Sequence, residues 1–116
     1  MEPIQRFTDE PKWTATEKKA ARRAFDKAFE RHCARISAEA RQMLKNATVP
    51  SDVWRVHDFL SKHRKTVDRI YDYRYSQLLL VFARLMRDGW LTEADLAGLQ
   101  QEKIVWIKRN ADLLGY

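Results

Sequence analysis

Glycine and proline are scarce in this chain, three of each in 116 residues. That is too few for a β fold built on tight turns. Cysteine occurs once, at Cys33, so there is neither a disulfide framework nor a cysteine-based metal site. No apolar run approaches the roughly 18 residues of a membrane-spanning helix. The opening MEPIQRFTDEPKW lacks the apolar core of a secretory signal. A Gly-rich phosphate loop and a metal-ligand spacing are missing as well. These absences lead to the expectation of a cytoplasmic chain with no cofactor, no bound metal and no membrane insertion.

What is present is a helical composition. Hydrophobic residues make up 45% and charged residues 33%, a balance that suits a small all-α domain with charged outer faces. The length supports one hydrophobic core. The net charge of +6 is uneven, with residues 14–46 holding nine Lys/Arg against four Asp/Glu and residues 51–90 eight against five. A basic first helix can attract an acidic partner, an anionic membrane or nucleic acid. The plainer reading is a solvated face, because acids are interspersed and no block of five like charges occurs.

Residues 1–12, with Pro3 and Pro11 and no periodicity, read as a mobile tail ahead of a single helical domain over 13–116. Thr14 and Glu17 form a capping-box signature. Behind it Ala21, Phe25, Ala28, Phe29, Cys33, Ile36, Ala40, Met43 and Leu44 recur at helical spacing, opposite Lys18, Arg22, Glu30 and Arg41. This predicts one helix to about Asn46, roughly 45–50 Å long. A helix that long in so short a chain points to cover from a second subunit. TVPSD at 48–52 is a break and then a helix start. Residues 52–88 read as one helix or as two with a bend near 73–76, closed by Gly89. Thr92 and Asp95, with Leu91 and Leu96 as a hydrophobic staple, predict the start of the last helix. That helix should bury Leu96, Leu99, Ile104, Ile107 and Ala111 and end before Gly115. Cys33, Trp90 and Trp106 read as core residues. Tyr71, Tyr73 and Tyr75 cannot share one helix face, which leaves Tyr73 for the surface.

The stretch VWRVHDFLSKHRKTVDRIYDYR, residues 53–74, holds two stripes. Val53, Val56, Phe59, Leu60, His63, Val67 and Ile70 cover about a third of the helix circumference and form a core face. Trp54, His57, Ser61, Arg64 and Asp68 fill the adjacent sector, flanked by Asp58 and Lys65. Three readings of this sector compete. One is a satisfied polar face with an exposed Arg64–Asp68 ion pair. Another is a protein interface, since Trp and Arg are enriched at binding hot spots. Asp58 and Arg64 are six apart and diverge by about 120° on one helix, so a pair between them suits two copies related by a two-fold axis. The third is catalysis by His57 and Asp58, which diverge on a helix and have no accompanying nucleophile. Nucleic-acid stacking by Tyr73 beside Arg74 has no supporting sheet motif or helix-turn-helix.

The string W-x-x-H-D-F-L-S-x-x-R, with D-x-x-Y-D-x-R, V-F-A and a Gly-terminated helix after it, resembles the fluorescence recovery protein family of cyanobacteria. The likeness runs from about Trp13 to Ala111 and is strongest over Val53 to Leu91. It implies an all-α, non-enzymatic homodimer built on long helices. It also implies a role in photoprotection. Such a protein binds photoactivated orange carotenoid protein through that protein's C-terminal domain and speeds its return to the compact orange form. Non-photochemical quenching of the phycobilisome then ends. The resemblance places Trp54, His57, Asp58 and Arg64 at the dimer interface and partner-binding site. Tyr71, Asp72 and Arg74 match the family's recurrent motif without a separate role, and with Val53, Ser61 and Asp68 they are candidates for further contacts. The chain departs from the family in its strong basicity, in Arg55, His63 and Lys65 beside the motif, and in Trp90 after the glycine. A related carotenoid-binding domain is therefore also a fitting partner. The alternative is a dimeric helical scaffold or chaperone-like binder with an acidic or nucleic-acid partner.

Overall fold

Thr14 opens the first helix as expected, in a computed structural model that describes residues 12–114. Its hydroxyl accepts from the Glu17 amide at 3.1 Å, and the Glu17 carboxylate accepts from the Thr14 amide at 3.2 Å. Helix α1 runs Ala15–Lys45, 31 residues, or about 45 Å at 1.5 Å per residue. Its first half turns Ala20, Ala21, Ala24, Phe25 and Ala28 into the core. After a short turn, Pro50 starts α2, which spans Pro50–Ile70. The Asp52 carboxylate accepts from the Thr48 and Val49 amides at 2.9 and 3.2 Å and fixes the turn. The connection is short, so α2 folds back beside α1 as a helical hairpin.

Residues 52–88 are two helices, not one. Helix α2 stops at Ile70, residues 71–77 form a loop, and α3 spans Leu78–Arg87. Leu78, Leu79, Val81, Phe82, Ala83 and Leu85 are all buried. A helix apolar nearly all round has to sit inside, and α3 is the centre of the head that α4 wraps. It ends in a Schellman closure: Gly89 at φ 86°, with Trp90 N–H on the Leu85 carbonyl and Gly89 N–H on that of Met86.

The last helix starts later than its caps suggest. The Asp95 carboxylate does accept from the Thr92 amide and hydroxyl, at 2.8 and 3.0 Å. These bonds open only a single 3-10 turn, Glu93–Leu96, and α4 begins at Gln101, running Gln101–Leu114. Gly98 interrupts the run at φ +105°, and a Cβ there would lie 2.7 Å from the Ala20 Cβ. The chain kinks so that its backbone can lie against α1. Leu96, Leu99, Ile104, Ile107 and Ala111 are buried as expected. Among the described residues all regular elements are helical, and the molecule measures 55 × 34 × 21 Å. The core gathers in the head, between α3, α4 and the first half of α1. The second half of α1 and α2 form a thinner arm. The expected tail, save Lys12, and the approach to Gly115 lie outside the described residues.

Candidate functional site

The arm does not cover its own apolar surface. Helix α2 presses only Val56 and Val67 fully against its neighbours, with Phe59, His63 and Ile70 half-buried. Val53 and Leu60, expected in the core, are 50% and 43% exposed. They lie at the edge of the apolar sector nearest the polar stripe, beyond the reach of one α1 helix. Trp54 is 65% exposed and stands edge-on to His57, with ring centroids 6.2 Å apart. Phe29, Leu44 and Val49, on α1 and the turn after it, are exposed as well. Phe29 and Leu44 belong to the apolar face read for the first helix. Apolar surface bordered by polar groups is a feature that interaction sites share.

Within the stripe, Arg64 Nε donates to Asp68 Oδ2 at 3.1 Å, an i,i+4 pair with both side chains mostly in solvent. His57 Nδ1 lies 3.4 Å from Asp58 Oδ1, a contact that the divergence of neighbouring helix positions argued against. The side chains bend toward each other over the surface. Both are in solvent, at 66% and 81% exposure, so the contact is long, water-competed and far from a catalytic dyad. Ser61 is half-buried. Asp58 and Arg64 make no ion pair with each other within the chain.

The 71–77 loop carries the second half of the motif. Arg74 grips Asp72 with two guanidinium nitrogens, Nη2 on Oδ2 at 2.6 Å and Nε on Oδ1 at 2.9 Å, and its amide also bonds Oδ1 at 3.2 Å. The hydrogen bond from Arg74 lowers the Asp72 pKa. Three tyrosines on one helix could not all pack, but this stretch is not helical. The chain turns at Tyr71 (φ −88°, ψ 76°) and again at 74–77, where the Gln77 amide bonds the Arg74 carbonyl at 2.8 Å, and Tyr71, Tyr73 and Tyr75 all pack against the core. Tyr73 is therefore not a surface residue. It stands T-shaped to Phe25 at 4.8 Å, and the Arg22 guanidinium lies over it at 4.4 Å.

Tyr71 joins arm to head. Its hydroxyl donates to the Ala28 carbonyl at 3.2 Å and lies 3.1 Å from His32 Nδ1. Because the hydroxyl gives its single proton to Ala28, His32 Nδ1 is the donor of that second bond. His32 is buried and stacks on Trp90 at 4.3 Å. Burial lowers its pKa, the nearby His63 adds to the effect, and Asp88 opposes it. Cys33, next to it, is half-buried rather than interior. Two further links were not legible as such. Arg31 holds Asp95 through two nitrogens, at 2.7 and 3.2 Å, and the Trp90 carbonyl at 3.1 Å. The hydrogen bond from Arg31 pulls the Asp95 carboxyl down to about 2 against the effect of burial. Glu17 and Lys103, at 2% and 3% side-chain exposure, pair at 2.9 Å. Glu17 also accepts from the Gln100 amide at 3.0 Å, so it caps α1 and satisfies an orphan donor at the mouth of α4. Burial opposes its charge, but the bonds from Gln100, Lys103 and Thr14 outweigh that and lower its pKa. The one signal for this pair was Lys103 in register with Ile107 and Ala111.

A cleft of about 300 Å³ lies between α1 and α2, lined by Arg22, Phe25, Asp26, Phe29, Val67, Asp68 and Tyr71. Among the described residues no three His, Cys, Asp or Glu side chains converge as a metal site would need, and no helix is long and apolar enough to cross a membrane. The outer face of α2 combines an exposed aromatic, apolar margins and solvent-exposed charge pairs.

Comparison with known proteins gives that surface a context. The family described as "photoprotection regulator fluorescence recovery protein" matches residues 13–111. The fluorescence recovery protein of a Synechocystis species is 34% identical over 106 residues, covering 91% of this chain and 97% of that protein. The solved structure of the Fremyella diplosiphon protein superimposes with a TM-score of 0.80 at 38% identity, over 87% of this chain and 99% of that one. That of the Synechocystis protein does so at 0.81 and 33%, with the same coverage.

Proposed function

This chain belongs to the fluorescence recovery protein family of photoprotection regulators, and on that premise we propose that it binds photoactivated orange carotenoid protein and speeds its return to the compact orange form. The observation that carries this reading is the uncovered face of α2. Trp54, at 65% exposure, is flanked by the half-exposed Val53 and Leu60 and by the His57–Asp58 and Arg64–Asp68 pairs. This face suits a second copy of the chain. If two α2 helices cross antiparallel about a two-fold axis near Ser61, Asp58 meets the partner's Arg64, because both stand three residues from the centre. The reciprocal contact arises by symmetry. Val53 and Leu60 then gain the cover that α1 does not supply. The dimer presents two heads on one rigid arm.

Acceleration needs no covalent step. A binder that holds the separated domains of its partner close to their compact geometry lowers the barrier to redocking. The test is the dark decay of photoactivated orange carotenoid protein, tracked by absorbance, with this protein at one tenth of the carotenoid protein's concentration. A decay several-fold faster than the spontaneous one supports the reading. An unchanged decay in the presence of a folded dimer overturns it.

A further inference from the structure

Helix α2 carries a third sector that neither the core nor the Trp54 face uses. Arg55, Lys62, Lys65 and Arg69 succeed one another at seven, three and four residues, a helical repeat that lines them along one edge for about 20 Å. This edge is turned roughly 100° from the Trp54 sector, on the side away from Val56 and Val67. All four residues are exposed. Arg55 leans on Asp52 at 3.3 Å with 74% of its side chain in solvent. Lys62, Lys65 and Arg69 form no ion pair with any described residue. Like charges three and four apart on a helix repel, and Asp58 is the one carboxylate in their sector. The wider distribution agrees. Residues 31–70, which make the arm, hold nine Lys/Arg against four Asp/Glu, while residues 15–30 hold five against three and residues 71–114 six of each. Most of the positive excess of the described residues sits on the arm.

We propose that this edge of α2 is a second docking surface, for a carboxylate-rich protein surface, which borders the Trp54 face at Asp58 and extends away from it. The proposal rests on reading the chain as a protein-binding regulator and names the chemistry of one further contact. Nucleic acid fits less well. Non-specific nucleic-acid binding comes almost wholly from neutralised phosphates, and weakens steeply with salt. The edge offers three unshared cations, with the Asp58 carboxylate beside them. A row of carboxylates on a folded partner needs only a few matched charges, and their main effect is on orientation and encounter rate.

The test uses three labelled probes at about 50 and 300 mM salt: a polyglutamate peptide, a single-stranded oligonucleotide of about 20 nucleotides, and photoactivated orange carotenoid protein. The triple variant Lys62→Glu, Lys65→Glu, Arg69→Glu is compared with Lys19→Glu, Lys27→Glu, Lys45→Glu on α1, which changes net charge equally. A glutamine version of the first triple guards against misfolding. The expected result is at least a tenfold loss of polyglutamate and carotenoid-protein affinity at low salt in the α2 variants. The α1 variant should lose less than threefold, and the mass of the particle should not change. Equal losses in the two sets would mean net charge alone and overturn the proposal. Tighter binding of the oligonucleotide than of polyglutamate would overturn it in favour of nucleic acid. If the wild-type chain fails to bind carotenoid protein, the family-based reading falls, and the polyglutamate arm still decides the α2 edge.

Discussion

Lys103 stands where the α4 pattern calls for an apolar side chain, and its ammonium is matched to Glu17 rather than to water. Removing one member of a buried pair strands the other charge, which costs roughly 3–5 kcal/mol. Lys103→Met should therefore lower the unfolding free energy, measured in denaturant, by that much. Adding Glu17→Gln, which keeps an acceptor for the Gln100 amide, should recover part of the loss. An additive double mutant would show that the two residues do not act as a pair. His32 offers a second test. Its folded pKa lies below the ordinary 6.5 because burial disfavours the cation. The unfolded chain therefore takes up a proton first as pH falls, and stability drops from about 6.5 down through the folded value. Thermal melts between pH 7.5 and 5.5 should show this slope, and His32→Phe, which keeps a ring on Trp90, should flatten it. Asp95 acts in the opposite sense at lower pH. Its carboxyl at about 2 adds stability above the unfolded value near 3.8, and that contribution is lost as pH falls toward 2.

The elements fall into two classes, those whose ends are written in local chemistry and those set by packing. Helix α1 and the close of α3 belong to the first. Thr14 with Glu17, and Gly89 at φ 86°, were legible because caps act within a few residues. The start of α4 belongs to the second. Thr92 and Asp95 do form their local bonds, but Gly98 gives way to the close approach of Ala20 from α1. Gly98→Ala should cost about 1–3 kcal/mol, from a positive φ held by a residue with a Cβ and from the contact with Ala20. Equilibrium unfolding measures it, and a neutral result would mean the loop shifts freely. The end of α2 at Ile70 was equally unreadable. Tyr71, Tyr73 and Tyr75 are compatible with a helix by composition, and in the non-helical loop all three rings reach the core.

For the molecule as a whole, the thin arm and the dense head predict an obligate association. Asp58→Leu and Arg64→Leu should each turn a dimer into a monomer in light scattering at micromolar concentration, with helical circular dichroism nearly unchanged. Either substitution should also abolish any acceleration of carotenoid-protein recovery. If both variants unfold instead, the two residues serve the monomer and the interface lies elsewhere. The exposed Val53, Leu60 and Trp54 are the ground for this prediction, since exposed apolar surface gains from cover.

Sequence alone determined the all-helical class, the first helix with its cap, the break at Pro50, the two stripes of α2 and the family motif. Each of these rests on interactions within a turn or two of helix, or on a pattern repeated along one. The tertiary structure decided which parts of those stripes are covered. It exposed Val53 and Leu60 because a single neighbouring helix shields only part of a circumference. It buried Glu17 with Lys103 and His32 with Trp90 because each pair meets across more than fifty residues of chain, beyond the reach of any local pattern. It broke the last helix at Gly98 because backbone packed against Ala20 leaves no room for a side chain.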